Sequence, residues 1–377
     1  MTRHMFAGAL TPAGFVDFFD HIMPVQKARA RYFLKGASGG GKGTFMRRVA
    51  EALAKRGIAA IELFHCANDA PSLDAIAAPQ IGLCIMDATA PHSRDPQIPA
   101  ITDIIIDFAQ FLDKDKLSGH KRAIQNLLHD KKVIMDKAMG YFAAAGKVYS
   151  ADKAAAHAAL NSAELEYLAD TILCRGDLWS PAPNAKALQH SSEACRGELC
   201  SPASNRKLFL TAVTPEGQVS LADDAFDDCY VYALHTEEQI GTNRLLTRIQ
   251  QAVSIGGIAT ESFHNPLAPS QIEYLHLPSQ KQAFVTTGGI FGYRGKVNER
   301  IDLAPCINPA MLIRIKLDIE RDTELLNSLL DQTTSLLRAA KALHTKIEEI
   351  YIQAMDFARA DEVTQKFITS IDIHPYS

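Results

Sequence analysis

The chain has 377 residues, 43 of them acidic and 39 basic, for a net charge of −4. That length predicts two domains, and the near-neutral balance gives no general attraction to nucleic acid. The 47% hydrophobic and 22% charged content is that of a globular protein. No apolar run reaches the roughly 18 residues of a membrane span. Asp17, Asp20 and His21 break the N-terminal segment where a signal peptide needs an apolar core, so a cytoplasmic protein with no membrane contact is expected.

In chain order, a short apolar segment, Met5 to Leu10, leads. A strand follows at Arg31 to Lys35, then a glycine-rich loop, then a helix beginning near Lys42. Ala59 to Phe64 and Ile81 to Met86 are continuous apolar runs bounded by turns, the pattern of buried parallel strands. Ile124, Leu127, Lys131, Ile134, Ala138, Tyr141, Ala145 and Val148 recur at helical spacing and predict a long helix with a packed seam. Asp177 to Asn205 reads as a linker, with prolines and serines and no apolar periodicity. It carries Cys195 and Cys200, the one close pair among seven dispersed cysteines. A zinc site normally needs four ligands and no second pair follows, so free thiols in a reducing compartment are expected.

Beyond the linker the layout returns. Leu208 to Val213, Tyr230 to Leu234, Ile258 to Phe263 and Ala283 to Thr287 repeat the strand series. Asn308-Pro309 marks a helix start, with Asn as cap and Pro in the first turn. A second seam runs through Leu326, Leu329, Thr333, Leu336, Ala340, Leu343, Ile347, Ile350, Ala354 and Phe357. Both seams serve core packing or, alternatively, a protein partner or self-association. Individual residues recur in order as well. Arg3-His4-Met5-Phe6 and Thr11-Pro12-Ala13-Gly14 return as Arg206-Lys207-Leu208-Phe209 and Thr214-Pro215-Glu216-Gly217. Phe64-His65, Leu73-Asp74 and Pro79 return as Phe263-His264, Ile272-Glu273 and Pro278. The chain therefore reads as a duplication, residues 1–176 and 206–377 flanking the 177–205 linker.

Only the first copy carries phosphate chemistry. Gly36-Ala37-Ser38-Gly39-Gly40-Gly41-Lys42-Gly43-Thr44 fits G-x-x-x-x-G-K between a strand and a helix. Glycines let successive backbone N–H groups converge on phosphate oxygens, and the helix N-terminus adds partial positive charge. Lys42, expected as an exposed charge at the helix start, supplies a point charge for the β- and γ-phosphates. The ligand is thus expected to be ATP with Mg2+. The hydroxyl of Thr44 and the strand-end carboxylate Asp87 are the candidate metal ligands, Asp87 acting through water. His65, Asp69, His92 and Asp95 follow strand ends, where ligands of open α/β sheets bind, and are candidates for positioning water, moving a proton or binding a small-molecule acceptor. In the second copy Lys42 becomes Thr242, Gly43 becomes Asn243, Thr44 becomes Arg244 and Gly36 becomes Thr236. Glu237 and Glu238 would repel phosphate there, and Thr287-Gly288-Gly289 is expected in place of the strand-end acid.

The Lys42-Gly43-Thr44 ending resembles the loop of adenylate-kinase-like nucleotide kinases. The duplicated layout, with Phe64-His65-Cys66, Asp87-Ala88-Thr89-Ala90-Pro91-His92 and Asp95-Pro96, resembles a bacterial family of P-loop ATPases described as nucleotide-kinase-like. That resemblance implies ATP binding and a P-loop fold but no particular substrate. In that family the loop usually ends Gly-Lys-Ser/Thr and the second copy often keeps a loop, and this sequence departs on both counts. The expected fold class is α/β, two tandem P-loop-type units with mainly parallel sheets and long helical-hairpin extensions. The expected function is a Mg-dependent ATPase or a small-molecule or nucleotide phosphotransferase. The alternative is a nucleotide-dependent switch or scaffold with negligible turnover.

Overall fold

Wherever a short apolar run meets a turn signal, the chain forms a strand. A computed structural model describes residues 2–175 and 204–376. The first strands are β1 (Thr2–Met5), β2 (Gly8–Thr11) and β3 (Gly14–Asp17). The leading apolar segment is therefore two strands and not one, because β2 folds back on β3 as an antiparallel hairpin. The recurring Thr-Pro-x-Gly is the turn of that hairpin. Thr11 Oγ1 donates to Gly14 O at 2.7 Å and accepts from Ala13 N at 3.2 Å, and Gly14 takes a φ of 114°, a region a side chain disfavours.

Next come β4 (Ala30–Lys35), α1 (Lys42–Lys55), β5 (Ile61–Cys66), β6 (Asp69–Ala78), β7 (Leu83–Asp87) and β8 (Asp103–Asp107). Their sheet has the order β1-β5-β6-β7-β4-β8. It is mixed, since β6 runs antiparallel to both β5 and β7 while the other pairs are parallel. Strands β6 and β8 have no counterpart in the sequence reading. Asp69–Ala78 is built largely from alanine, serine and aspartate, and β8 has only three apolar residues between two aspartates. What fixes β8 is a charge pair. Arg31 of β4 makes a buried bidentate contact with Asp103, at 2.8 and 2.7 Å, and that hydrogen-bonding holds the Asp103 carboxyl below the usual carboxylate range despite its burial.

The chain continues through α2 (Lys114–Ser118), α3 (Lys121–His157) and α4 (Ser162–Leu173). After residues 176–203, which lie outside the described set and include Cys195, Cys200 and most of the expected linker, the series repeats. It comprises β9 (Asn205–Leu208), β10 (Thr211–Thr214), β11 (Gly217–Ser220), β12 (Tyr230–His235), α5 (Thr242–Ile255), β13 (Thr260–Asn265), β14 (Ala268–Leu277), β15 (Gln282–Thr286) and β16 (Glu299–Asp302). The second sheet has the order β9-β13-β14-β15-β12-β16, the first sheet's order strand for strand. Helices α6 (Pro309–Gln353) and α7 (Phe357–Ser370) end the series. Asn308 caps α6 as expected, its side chain accepting from Ala310 N and Met311 N. The fold is thus α/β, with two mixed, mostly parallel six-stranded sheets. No helix among the described residues is long and apolar enough to cross a membrane.

The described residues cluster into two compact units, and neither is one stretch of chain. The first holds Met1–Ala144, Ala212–Val219 and Ser328–Ser377; the second holds Ala145–Thr211 and Ser220–Asn327. In the first unit, α1 lays Phe45, Met46, Val49 and Leu53 on the sheet, and the same cluster takes Ala360 and Phe367 from α7. Arg48 pairs with Asp361, and Arg56 donates to Ile371 O at 2.9 Å. In the second unit α4 does the equivalent, with Leu165, Ala169 and Ile172 in the cluster built on α5 and its sheet. Each sheet is therefore covered by the short terminal helix of the other repeat.

Candidate functional site

Strand β4 delivers its C-terminal end to a loop that is all backbone geometry. Gly36 has a φ of 144°, and a Cβ there would lie 2.9 Å from Phe108 Cβ. Gly39 sits at a φ of 74°, and a Cβ would meet Glu348 O and Ile352 Cγ1, both at 3.0 Å. Neither position has room for a side chain, so the loop adopts this path because it is glycine-rich. Gly41 is the left-handed residue that starts α1.

Lys42, expected to be exposed, is instead 7% exposed. Its Nζ folds back into the loop, donating to Gly36 O at 2.8 Å and Ala37 O at 2.9 Å, with Asp87 Oδ2 at 3.6 Å. The loop carbonyls and a carboxylate enclose the charge, which is why it is buried at low cost. Asp87 ends β7, parallel to β4 and in register with Leu34. Its other oxygen accepts from Thr89 N at 2.8 Å, and Thr89 Oγ1 donates to Gly36 O at 3.1 Å. Loop, lysine and strand-end acid form one bonded set.

This set lies in a cavity of about 790 Å³, lined by Ala37, Ser38, Gly39, Gly40, Gly41, Lys42, Gly43 and Thr44 together with Asp69, Asp87 and His92, all within the first unit. Asp69 pairs with Lys341 at 2.9 Å. His65 and Asp95, two further candidates, stand elsewhere. The β5–β6 register shifts around His65, and its ring stacks on that of His4, with His65 Nε2 2.8 Å from His4 Nδ1 and centroids 5.1 Å apart. Asp95 is exposed and outside the cavity lining.

Further residues share the cavity: Arg47, Lys341, His344 and Glu348, which the sequence did not single out, and Cys66, Asp74 and Lys131, which it marked only as motif, repeat and seam positions. Of the helical residues only Lys131 carried a seam signal, which reports a packed face but not what it faces. Asp74 did leave a trace, because an acid recurs at Glu273 in the second copy. Burial pushes the Asp74 carboxyl up to about 6, opposed chiefly by His92. Burial also lowers Lys131, and burial with Lys131 nearby takes His344 down to about 4. The cavity therefore holds a neutral His344 near neutral pH, among cations and carboxylates of both signs.

The second unit answers with a closed counterpart. Thr286, in register with Leu234, occupies the place of Asp87, one residue earlier than the expected Thr287. Glu238 and Gln239 hold left-handed φ values of 53° and 55°. Thr242 Oγ1 donates to Gln239 O at 2.9 Å, and Lys153 Nζ donates to Glu238 O at 2.7 Å. Comparison with family models, with curated proteins and with solved structures returns no match for this chain.

Proposed function

We propose that the first unit is a P-loop-type module that binds ATP with Mg2+ and uses it as an ATPase or as a phosphotransferase to a small molecule or nucleotide. The observation that carries this reading is Lys42, held by the carbonyls of Gly36 and Ala37 and facing Asp87 across 3.6 Å. A lysine so placed at a helix start, beneath a loop with little side-chain bulk, supports a phosphate cradle. The cavity volume of about 790 Å³ is within the usual 300–1,000 Å³ range for small-ligand sites.

In this reading the amides of Gly39 to Thr44 and the Lys42 ammonium stabilise charge on the transferred phosphoryl group. Asp87 orients hydrated Mg2+, with the Thr44 hydroxyl on the same cavity wall as a further oxygen ligand. Lys131, Lys341 and Arg47 offer further positive charge to an acceptor's anionic groups. A second reading, a nucleotide-dependent switch with slow turnover, draws on one observation. Glu348 and Ile352 of α6 lie against Gly39, so a nucleotide that reshapes the loop displaces that helix.

Calorimetric titration with MgATP tests the assignment. The wild-type chain should bind one nucleotide, and Lys42→Ala should bind at least tenfold more weakly, about 1.4 kcal/mol. Unchanged affinity in the variant, or two sites per chain, sinks the reading. Turnover that rises only when an acceptor is supplied marks a phosphotransferase. Slow hydrolysis with a nucleotide-dependent change in hydrogen exchange along α6 marks a switch.

A further inference from the structure

A second constellation on the cavity wall takes no part in the loop chemistry. Cys66 ends β5, Asp74 lies within β6 and His92 follows β7, and one ligand atom of each lies within 4.8 Å of the others. Asp74 and His92 are only 4% and 7% exposed. Asp74 Oδ2 and His92 Nδ1 are buried with no hydrogen-bond partner among the described residues. A buried polar atom left without a partner costs about 1–3 kcal/mol, and these two belong to side chains that already approach one another, His92 Nε2 standing 3.5 Å from Asp74 Oδ1. The His92 ring is also fixed, with Phe15 and Phe19 centroids 5.0 and 5.1 Å from its own.

The second unit shows that the fold does not impose this. Asn265 and Glu273 occupy the corresponding ends and middles of β13 and β14. There Asn265 Nδ2 donates to Glu273 Oε1 at 2.8 Å, and Thr211 Oγ1 donates to Glu273 Oε2 at 3.1 Å. Thus the Glu273 carboxylate is hydrogen-bonded through both oxygens, whereas Asp74, bonded to Cys66 and 3.5 Å from His92 Nε2 through Oδ1, keeps Oδ2 without a partner.

We propose that Cys66, Asp74 and His92 form a site for a thiolate-tolerant divalent transition metal, zinc by preference, distinct from the Mg2+ of the triphosphate. Thiolate, imidazole and carboxylate are the zinc donor set, whereas Mg2+ and Ca2+ select oxygen ligands. Three protein ligands leave a fourth position for water or for a donor atom of a bound substrate, since all three residues line the cavity. Binding of this metal needs no nucleotide, so it stands or falls separately from the ATP reading.

The test is titration of the metal-stripped full-length chain with Co(II), without nucleotide, followed by electronic absorption and then displacement by Zn(II). A near-ultraviolet thiolate-to-cobalt band that saturates at one metal per chain is expected. Cys66→Ser should abolish the band, and His92→Ala should weaken Co(II) at least tenfold. A double variant, Cys195→Ser with Cys200→Ser, should keep the band. The wild-type spectrum is decisive even if a variant fails to fold, because absence of the band there overturns the site. A band that survives Cys66→Ser, or that vanishes in the Cys195/Cys200 double variant, places the metal elsewhere and also overturns it.

Discussion

The two units share a strand order and differ in what they do with the polar groups at its centre. In the first, glycines free the loop, Lys42 folds beneath it, and Asp74 and His92 keep unpartnered atoms on the wall of a large cavity. In the second, Thr242 takes over the loop bond and Lys153 reaches it from α3. There Asn265 and Thr211 hydrogen-bond Glu273. An internally satisfied polar cluster rigidifies its core, whereas a buried unpartnered atom calls for an explanation such as a bound guest; the second unit keeps one at Thr286 Oγ1, the first keeps two in a single cluster. Chemistry kept in one copy and closed in the other fits a division between a binding unit and a supporting unit.

The largest expected effect comes from separating the repeats. A chain truncated near Asp177 loses Met355, Ala360 and Ile371 from the first unit's core, with half-buried Phe367 beside them. Losing large core side chains costs about 2–5 kcal/mol each, comparable to the whole stability of a domain. Such a chain should show no cooperative thermal transition by circular dichroism. A sharp melt near the full-length value would mean that the first repeat stands alone.

The next effect concerns the closed cluster. Burial pushes the Glu273 carboxyl up to about 8, with Thr211 and then Lys153 opposing. A carboxyl raised on folding contributes stability that is complete below its unfolded value, near 4.5. That stability is lost as pH rises through the folded one. Stability should thus fall between about pH 5 and pH 8, by at most on the order of 4 kcal/mol. Glu273→Gln keeps an oxygen for hydrogen bonding and cannot ionise, so its melting temperature should fall less steeply over that range. Parallel pH profiles for the two proteins would show that folding does not raise the Glu273 carboxyl.

How much of this was written in the sequence follows from what apolar patterning can encode. Strands β4, β7, β12 and β15 are continuous apolar runs, and each was legible within one or two residues. Strands β6 and β8 were not, since alanine-rich and aspartate-flanked segments carry little strand signal. The loop was legible because its chemistry is local. Its lysine was misjudged as exposed, because burial arises from carbonyls of Gly36 and Ala37 and from Asp87, a pairing across strands. The metal-type trio was invisible for the same reason, since it needs an antiparallel β6 between β5 and β7. The seams followed half-buried to buried positions of α3 and α6, while Phe357, the last seam residue, is exposed at the start of α7; periodicity also does not say which sheet a helix covers. The exchange of α4 and α7 between the repeats is therefore a property of the packed fold and leaves no mark in the periodicity.

Within the first unit, Asp87→Asn should preserve the bond from Thr89 N, 2.8 Å long in the wild type, while removing the charge that faces Lys42 and that, in the proposed function, would orient the hydrated metal. Metal-free nucleotide affinity should change little. Mg-dependent turnover should fall on the order of a hundredfold, about 2.7 kcal/mol in barrier. Steady-state hydrolysis at several Mg2+ concentrations measures it. A rate and Mg2+ dependence equal to the wild type would reduce Asp87 to a strand-end residue, as Thr286 is in the other sheet.

The smallest effect is the most discriminating for the comparison. Lys153 is the residue that α3 sends into the second loop, donating to Glu238 O at 2.7 Å and Gln239 Oε1 at 3.2 Å. Burial lowers its pKa, though nearby acids pull the other way, Glu238 first, so its ammonium is a costly group held for what it bonds. Two explanations for the closed loop compete: the lysine blocks it, or the loop itself has no phosphate chemistry left. Lys153→Met separates them, because methionine fills similar space and removes only the donor and charge. If the loop sequence decides, the variant loses about 1 kcal/mol of stability, melts a few degrees lower, and still binds a single ATP per chain. That outcome is expected, since Glu237 and Glu238 remain where phosphate would approach. Thr242 stands in place of Lys42 with its hydroxyl already bonded to Gln239 O, and Thr286 provides no charge for magnesium. A second calorimetric ATP site in Lys153→Met would show instead that one side chain, reversibly placed, is all that silences the second unit.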